Sequence, residues 1–221
     1  MKFQLAEIYK NVVATDTSPK LLELAPKLPN IKYVHTTPAM SLSEIEKNVT
    51  PKSSLDLVTV AQALHWFDLP NFYKQVKWAL KKPHGVVAAW CYTLPRVNAS
   101  VDTIMDRFYA DSKPYWDPLR KLVEEEYRGV VFPFEAVDGA HETGPFEFVS
   151  EKLMDLEGFL VYIRSWSAYQ TAKDKGVELL GDQVVEYFRR AWECDHEGGD
   201  GKKVVRFPIF LRIGKVGDCV E

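Results

Sequence analysis

The chain has 221 residues, of which 46% are hydrophobic and 13% aromatic, with a formal net charge of −3 and a sequence pI near 6.0. This length and apolar content predict one soluble domain over residues 1–221 with a sizeable core. The slightly acidic balance, without clusters of Lys and Arg, disfavours a nucleic-acid-binding surface. No apolar run reaches the length of a membrane span and no signal peptide is recognisable, so we expect no membrane association.

Cysteine usage indicates the compartment and argues against a metal site. Cys91, Cys194 and Cys219 form no disulfide framework, so we expect a reducing compartment and place the protein in the cytoplasm. Cys194 and His196 are adjacent enough to suggest a metal pair, but no second pair has the spacing of a zinc site. We therefore expect no metal. No Ser or Cys has the surroundings of a nucleophile elbow, which disfavours a hydrolase.

The first half of the chain alternates strands and helices, and this order predicts an α/β fold with parallel strands and right-handed crossovers. Ser18 followed by Pro19 has the pattern of a helix N-terminus, and Asp68 begins a later helix. The predicted elements are a helix over residues 3–10, strands over 12–15, 31–34, 55–60 and 86–90, and helices after Ser18 and Asp68.

The stretch from Leu55 to Asp68, LDLVTVAQALHWFD, carries the most specific pattern. A buried strand runs into small residues and then into Gln62, His65 and Trp66, before a new helix begins. Ligands bind open α/β sheets at the carboxyl ends of the strands. The stretch therefore predicts a strand that delivers polar and aromatic side chains to a binding site.

The second half of the chain is more helical. Residues 97–132 predict a helical insertion after Tyr92, with an aromatic loop, which we expect to form a lid over the carboxyl edge of the sheet. The terminal strand is expected to be antiparallel because a hairpin-like return precedes it. The remaining predicted elements are a strand over 146–154, helices over 156–163 and 182–193, a turn over 196–201 and a strand over 204–213.

Several of these segments, VVATDTSPKLLELA, DLVTVAQALHWFD and VVRFPIFLRIGKV, resemble class I S-adenosylmethionine-dependent methyltransferases of the methyltransferase type 11 branch. They are most similar to plant and fungal enzymes like trans-aconitate methyltransferase. The resemblance implies a Rossmann-like methyltransferase sheet, S-adenosyl-L-methionine as cofactor and a small-molecule acceptor methylated on a carboxylate or hydroxyl oxygen. By the same resemblance Asp16 would hold the ribose hydroxyls. The implied cofactor-binding residues are Asp16, Thr17, Thr37, Pro38, Ala39, Ala61 and Gln62.

One departure from the family pattern is expected to affect the sheet. The family begins with a central strand and a glycine-rich loop of the type DxGxGxG, whereas this chain has no glycine before Gly85. The missing strand would lie between the one ending at Asp16 and the one starting at Leu55. Its absence predicts either a gap with unpaired backbone groups or direct pairing of those two strands. We expect an N-terminally truncated methyltransferase; the alternative is a catalytically inactive methyltransferase-like protein with a binding role.

The acceptor side of the site is predicted from a histidine and a set of aromatic residues. His65 is the candidate base or orienting residue, because a neutral imidazole accepts a proton near pH 7; the alternative is a buried core histidine. Asp16 has the corresponding alternative of a simple turn residue. We expect six aromatic residues to line an acceptor pocket, with core packing as the alternative. They are Trp66, Trp90, Tyr92, Tyr115, Trp116 and Trp166. The sequence does not indicate the oligomeric state.

Overall fold

The computed structural model describes residues 2–194 and 201–218, so Cys219, His196 and most of the predicted turn over 196–201 lie outside it. None of the helices within these ranges is long and apolar enough to cross a bilayer. The strands are β1 Val12–Asp16, β2 Ile31–His35, β3 Leu57–Ala61, β4 Val86–Tyr92, β5 Phe146–Met154 and β6 Lys203–Lys215. The helices are α1 Lys2–Ile8, α2 Pro19–Glu23, α3 Leu42–Asn48, α4 Leu69–Ala79, α5 Ala99–Ser112, α6 Lys121–Glu124, α7 Leu156–Arg164, α8 Ser167–Asp174 and α9 Asp182–Glu193.

The chain divides into two compact units, each made from separate segments of the sequence. The first unit contains Met1–Ala89, Phe132–Thr143 and Ile213–Glu221. The second contains Trp90–Val131 and Gly144–Arg212. Strands β4 and β6 therefore contribute residues to both units.

The sheets confirm the predicted α/β class with mixed strand directions. β1 and β2 form a parallel pair in which Asp16 is the partner of His35. The second sheet has the order β3-β4-β6-β5. β6 is antiparallel to β5, from Phe146 opposite Leu211 to Met154 opposite Lys203, as expected for the terminal strand.

The region between β1 and β3 decides between the two outcomes predicted for the missing strand. Among the described residues, β1 is hydrogen-bonded only to β2, and β3 only to β4. Direct pairing of β1 with β3 is therefore wrong. Both strands instead line one cavity of about 270 Å³, to which Val12, Val13, Leu57 and Val58 contribute. The first unit has a gap in its strand order.

The side-chain caps predicted at the N-termini of the helices are present at α2 but not at α4. Leu21 N donates to Ser18 Oγ at 3.3 Å, which confirms the predicted start of α2. Asp68 precedes α4 as predicted, but its side chain makes no capping hydrogen bond. Helix α3 begins with a capping box in which Ser41 Oγ accepts from Glu44 N at 3.3 Å. The Ser41 amide donates back to the Glu44 carboxylate and lowers the pKa of Glu44.

Replacing Ser41 by Ala should lower the free energy of unfolding by about 1 kcal/mol, because it removes the side-chain acceptor at the N-terminus of α3. Chemical denaturation monitored by circular dichroism would measure this loss. Ser41→Thr keeps the hydroxyl acceptor and should unfold close to the unsubstituted protein. Equal stability of the Ala and Thr variants would show that the cap contributes nothing.

The second unit is built around an aromatic and aliphatic core supplied mainly by α5, α7 and α9. The rings of Phe108, Phe159 and Phe188 pack with centroids 6.0 Å apart, Phe188 contacting both others. The predicted insertion over residues 97–132 contains α5. Its second part is less helical than the predicted insertion, because a 3₁₀ turn over Pro118–Arg120 precedes the single turn of α6. Leu119, in that 3₁₀ turn, is 50% exposed.

The two cysteines of the described chain should differ in reactivity. Burial raises the pKa of Cys91 from 9.0 to about 12, whereas Cys194 is exposed. Iodoacetamide at pH 8 should therefore modify Cys194 and spare Cys91 until the protein unfolds, as peptide mapping by mass spectrometry would show. The unfolded thiol ionises near pH 9 while the folded one stays protonated, so Cys91 also lowers stability as the pH rises from 9 towards 12. Modification of native Cys91 at pH 8 would contradict this prediction.

Candidate functional site

The carboxyl ends of β1 and β2 meet at one edge of the first unit. Thr36 N donates to Asp16 O at 3.0 Å, and His35 Nε2 lies 3.1 Å from Thr17 O. The loop that follows β2 therefore leaves the sheet directly beside Asp16. The predicted residues Asp16, Thr17 and Thr37 are brought together at this edge.

The Asp16 side chain is half-buried and has a position from which it can bind hydroxyl groups. Its Oδ1 accepts a hydrogen bond from Ser18 N at 3.0 Å. This is the contact expected of a simple turn residue, and it uses one of the two carboxylate oxygens. No described residue donates to Oδ2. Because an ionised carboxylate accepts several hydrogen bonds, Asp16 retains acceptor capacity for the two hydroxyls of a ribose. The donor and acceptor chemistry at this edge fits the implied cofactor.

The end of β3 carries backbone strain. Gln62 has a φ of 54°, in the left-handed region that residues other than glycine seldom adopt. The chain turns there from β3 into the 3₁₀ turn Leu64–Trp66. Strained residues of this kind concentrate at ligand sites, and Ala61 and Gln62 were both predicted to approach the cofactor.

His65 and Trp66 differ in their exposure to solvent. His65 is only 5% exposed, whereas Trp66 is 42% exposed, and their ring centroids are 4.7 Å apart. The burial of His65 agrees with the alternative of a core histidine. Its use as a base remains a prediction, while the exposed Trp66 indole is available to form a wall.

The cavity of the first unit includes only part of the predicted cofactor set. Thr37 and Pro38 line it, together with Thr15 and Thr36. Asp16, Thr17, Ala39, Ala61 and Gln62 do not line it.

The second unit contains a separate cavity of about 470 Å³ whose charged residues were not predicted from the sequence. It combines cationic, acidic, aromatic and apolar side chains from the loop after β4, from α5 to α6, and from β6. Both of its carboxylates already have partners, since Glu124 accepts from Tyr109 OH and Glu126 is paired with Arg128 at 2.7 Å. Such a composition suits a small acidic ligand. The residues that line it are Thr93, Leu94, Arg96, Tyr109, Lys113, Arg120, Val123, Glu124, Glu126, Pro208 and Phe210.

Arg120 is a cation of that cavity which, like Lys113, forms no ion pair with a described residue. Its guanidinium lies 3.8 Å from the ring centroid of Trp116, and its Nε donates to Tyr109 OH at 3.4 Å. Arg96 differs because it forms an ion pair with Asp106 at 2.8 Å. No carboxylate of the described chain forms an ion pair with Arg120. Tyr109 OH donates to Glu124, and burial, followed by this hydrogen bond, raises the pKa of Tyr109.

The predicted acceptor-pocket aromatics of the second unit do not line this cavity. Trp166 is 8% exposed and belongs to the hydrophobic core, with Trp116 packed against it at 5.5 Å between ring centroids. Tyr115 lies under Lys175 Nζ at 5.6 Å. Trp90 and Tyr92 are half-buried at the end of β4, and burial raises the pKa of Tyr92. Core packing accounts for Trp166, and Trp116 packs against both Trp166 and the Arg120 guanidinium.

No group of His, Cys, Asp and Glu within the described ranges could hold a metal ion. Cys194 and His196, where we expected no metal, are not tested as a pair, because His196 lies outside those ranges.

Comparison with known proteins decides the family. A profile described as a methyltransferase domain matches residues 2–89. A Dictyostelium discoideum protein named as a methyltransferase is 30% identical over 217 residues, which cover 96% of this chain and 76% of that protein. This chain belongs to the class I S-adenosylmethionine-dependent methyltransferases.

Two further proteins extend the similarity of this methyltransferase. CRG1 of Saccharomyces cerevisiae, named as an S-adenosylmethionine-dependent methyltransferase, is 24% identical over 224 residues, 87% of this chain and 75% of that protein. A solved structure described as a type II methyltransferase, from Anaeromyxobacter dehalogenans, superposes with a TM-score of 0.76 at 28% identity, covering 97% of this chain and 84% of the other. The predicted family, Rossmann-like fold and cofactor, S-adenosyl-L-methionine, are confirmed. Similarity to the trans-aconitate branch stays a prediction.

Proposed function

We propose that this methyltransferase methylates an oxygen of a small acceptor that carries a carboxylate. The observation that supports the acceptor class is Arg120, a half-buried cation without an ion-pair partner in the described chain, in a cavity of about 470 Å³. Arg forms two parallel hydrogen bonds with a carboxylate, and such charge-assisted pairs are about twice as strong as neutral ones. The acceptor would be a small acid with a second carboxylate or a hydroxyl as the methylated group.

The cofactor side of the proposal assigns residues of the first unit. Asp16 would accept hydrogen bonds from the ribose hydroxyls, and Thr37, Pro38 and Ala39 would lie beside the adenine. Ala61 and Gln62 would contact the methionine part, with the strained backbone of Gln62 fixing that end of β3. S-adenosyl-L-methionine supplies a methyl group that its positive sulfur has already activated for transfer.

Methylation of a carboxylate acceptor would not require the protein to remove a proton from it. A carboxylate is ionised at neutral pH, so the chain must orient the reacting oxygen and exclude water. In the second unit, Arg120 would hold the non-reacting carboxylate. In the first unit, the exposed Trp66 would form a wall beside the cofactor-binding residues. For a hydroxyl acceptor, His65 would be the candidate proton acceptor.

A two-stage experiment tests this function. Calorimetric titration with S-adenosylmethionine and S-adenosylhomocysteine should give micromolar binding to the folded protein. Incubation with the cofactor and a panel of monocarboxylic acids, dicarboxylic acids and amines should then give methyl esters or ethers of the acids, identified by mass spectrometry. Transfer only to amines would overturn the proposed acceptor class.

A second candidate function is that of a catalytically inactive methyltransferase-like protein with a binding role. The gap between β1 and β3 favours it, because among the described residues β1 has no strand neighbour on the side of β3. A folded protein that binds neither form of the cofactor would support this candidate over the enzyme. For both candidates we propose a cytoplasmic location and no nucleic-acid partner.

A further inference from the structure

Three polar side chains form a row of hydrogen bonds at the cavity of the second unit. Arg120 Nε donates to Tyr109 OH at 3.4 Å, and Tyr109 OH donates to the Glu124 carboxylate. A tyrosine hydroxyl carries one proton, so it accepts from Arg120 while it donates to Glu124. All three residues line the cavity. One hydroxyl therefore lies between a cation and a carboxylate.

The spacing of Arg120 and Glu124 in the sequence favours a direct ion pair between them. Arg120 is the N-cap of α6 and Glu124 is the last residue of that helix, and opposite charges four residues apart attract one another. The next two residues at this spacing do pair, since Lys121 Nζ lies 3.5 Å from Glu125 Oε1. Glu124 is instead bound by Tyr109 OH. The tyrosine hydroxyl accounts for the difference between these two neighbouring pairs.

A second arginine of the cavity lacks such a hydroxyl and is committed to the chain itself. Arg96 Nη1 donates directly to Asp106 Oδ1 at 2.8 Å. The Nη1 and Nη2 atoms of Arg120, by contrast, donate to no residue that the structure describes. Glu126, the other carboxylate of the cavity, is paired with Arg128 at 2.7 Å. Glu124 is therefore the cavity carboxylate that would compete for Arg120.

The aromatic ring beside the Arg120 guanidinium is also connected to Tyr109. The guanidinium lies 3.8 Å from the ring centroid of Trp116. Trp116 Nε1 donates to Ser112 Oγ at 3.0 Å, and Ser112 Oγ donates to Tyr109 O at 2.8 Å. Ser112 is completely buried. This closed ring of contacts holds the guanidinium at Trp116 and Tyr109 and away from Glu124.

We propose that Tyr109 is a positioning residue that keeps Arg120 available to an anionic acceptor by separating it from Glu124. The hydroxyl binds Glu124 and uses only Nε of the guanidinium, which leaves Nη1 and Nη2 for two parallel hydrogen bonds with a carboxylate. Burial, followed by the hydrogen bond to Glu124, raises the pKa of Tyr109, so the hydroxyl keeps its proton at neutral pH. The inference rests on the proposed function in that Arg120 is taken to bind the acceptor.

Proton exchange at the Arg120 guanidinium tests the separation without any ligand. It is measured by ¹⁵N NMR, and the Arg120 signals are assigned by their loss in Arg120→Lys. In Tyr109→Phe we expect at least threefold slower exchange at the nitrogen that pairs with Glu124, because a hydrogen bond to a carboxylate is stronger than one to a neutral hydroxyl. A second substitution, Glu124→Gln in the same protein, should make this exchange faster than in the unsubstituted protein.

The fold should persist in Tyr109→Phe. Phenylalanine keeps the ring that packs 6.0 Å from Trp116 and 6.3 Å from Trp166 between centroids. Circular dichroism checks this. The matched control is Tyr187→Phe, because the Tyr187 ring also lies near an arginine, Arg107, at 5.9 Å, but outside the cavity. Its Arg120 exchange should equal that of the unsubstituted protein.

Succinate is the anionic probe for binding, and calorimetry gives its dissociation constant. Tyr109→Phe should bind succinate at least tenfold more weakly, because the ligand must displace Glu124 from Arg120. Tyr109→Phe combined with Glu124→Gln should return to within threefold of the unsubstituted protein, since the amide carries no charge. Tyr187→Phe should stay within twofold of it.

Two results would overturn the proposal. One is faster guanidinium exchange in Tyr109→Phe, which is the result of losing a hydrogen-bond partner without gaining Glu124. The other is weak succinate binding by Tyr109→Phe that Glu124→Gln does not restore, which would give Tyr109 a structural role only. If the unsubstituted protein does not bind succinate, the proposed acceptor class fails for this diacid, and guanidinium exchange alone decides whether Tyr109 separates the two charges.

Discussion

Asp16→Asn should weaken binding of S-adenosylmethionine about 30-fold, with the fold intact. The substitution removes the negative charge that would accept two ribose hydroxyls, and hydrogen bonds to a charged group contribute about 1.5–3 kcal/mol each. Asparagine keeps a side-chain oxygen that can accept from Ser18 N, so the turn after β1 should persist. Isothermal titration calorimetry of both proteins measures the change.

The matched control for this substitution is Asp56→Asn. Asp56 is also an acidic residue of the first unit, but its carboxylate is 61% exposed and paired with Lys81. Its replacement should leave cofactor affinity within twofold, because an exposed ion pair contributes little. If Asp16→Asn bound the cofactor as tightly as Asp56→Asn, Asp16 would be a turn residue only.

Arg120→Gln should raise the KM for a carboxylate acceptor about 30-fold and leave cofactor affinity unchanged. The reason is the loss of a charge-assisted, two-point contact with the acceptor, again on the order of 2 kcal/mol. Arg120→Lys should recover part of this loss, since it restores the charge without the planar fork. Steady-state kinetics with a dicarboxylic acid identified by the acceptor panel provides the measurement.

Arg164→Gln serves as the control in the same unit, because Arg164 lies outside the cavity and forms an exposed ion pair with Glu157 at 3.1 Å. We expect its kinetics to match those of the unsubstituted enzyme. A fall in kcat for Arg120→Gln with no change in KM would argue against acceptor binding by Arg120. It would instead indicate that Arg120 stabilises the local structure around Trp116 and Tyr109.

Elements whose residues form a clear local sequence pattern were predicted correctly. The strand bounds of β1, β2 and β5 agree with the predictions to within a residue or two, because apolar runs and alternation are local patterns. Helix α8 was not predicted, since its buried residues are only Ala168, Tyr169 and Ala172 in an otherwise polar segment. Two prolines, Pro114 and Pro118, explain why the second part of the insertion forms 3₁₀ turns.

The candidate site was predictable in the first unit and much less so in the second. Asp16 and Thr37 were predicted from the resemblance to the methyltransferase family, and the parallel pairing of β1 with β2 brings the ends of these two strands to one edge. Arg120 and Tyr109 were missed because they share a cavity only through the packing of α5, α6 and β6. In the sequence, Arg120 is recognisable only as an arginine among aromatic residues. This pattern does not distinguish a ligand-binding arginine from one at the surface. The burial of His65 is likewise a tertiary property that its neighbours in sequence do not reveal.

The division of the chain between its two units has a consequence for synthesis. The first unit takes its last segment from Ile213–Glu221, after the whole of the second unit has been translated. The first unit therefore cannot complete its packing until Ile213 and the residues that follow it have been synthesised. During that interval apolar residues of the first unit are incompletely packed, so they are exposed to chaperones and to neighbouring nascent chains.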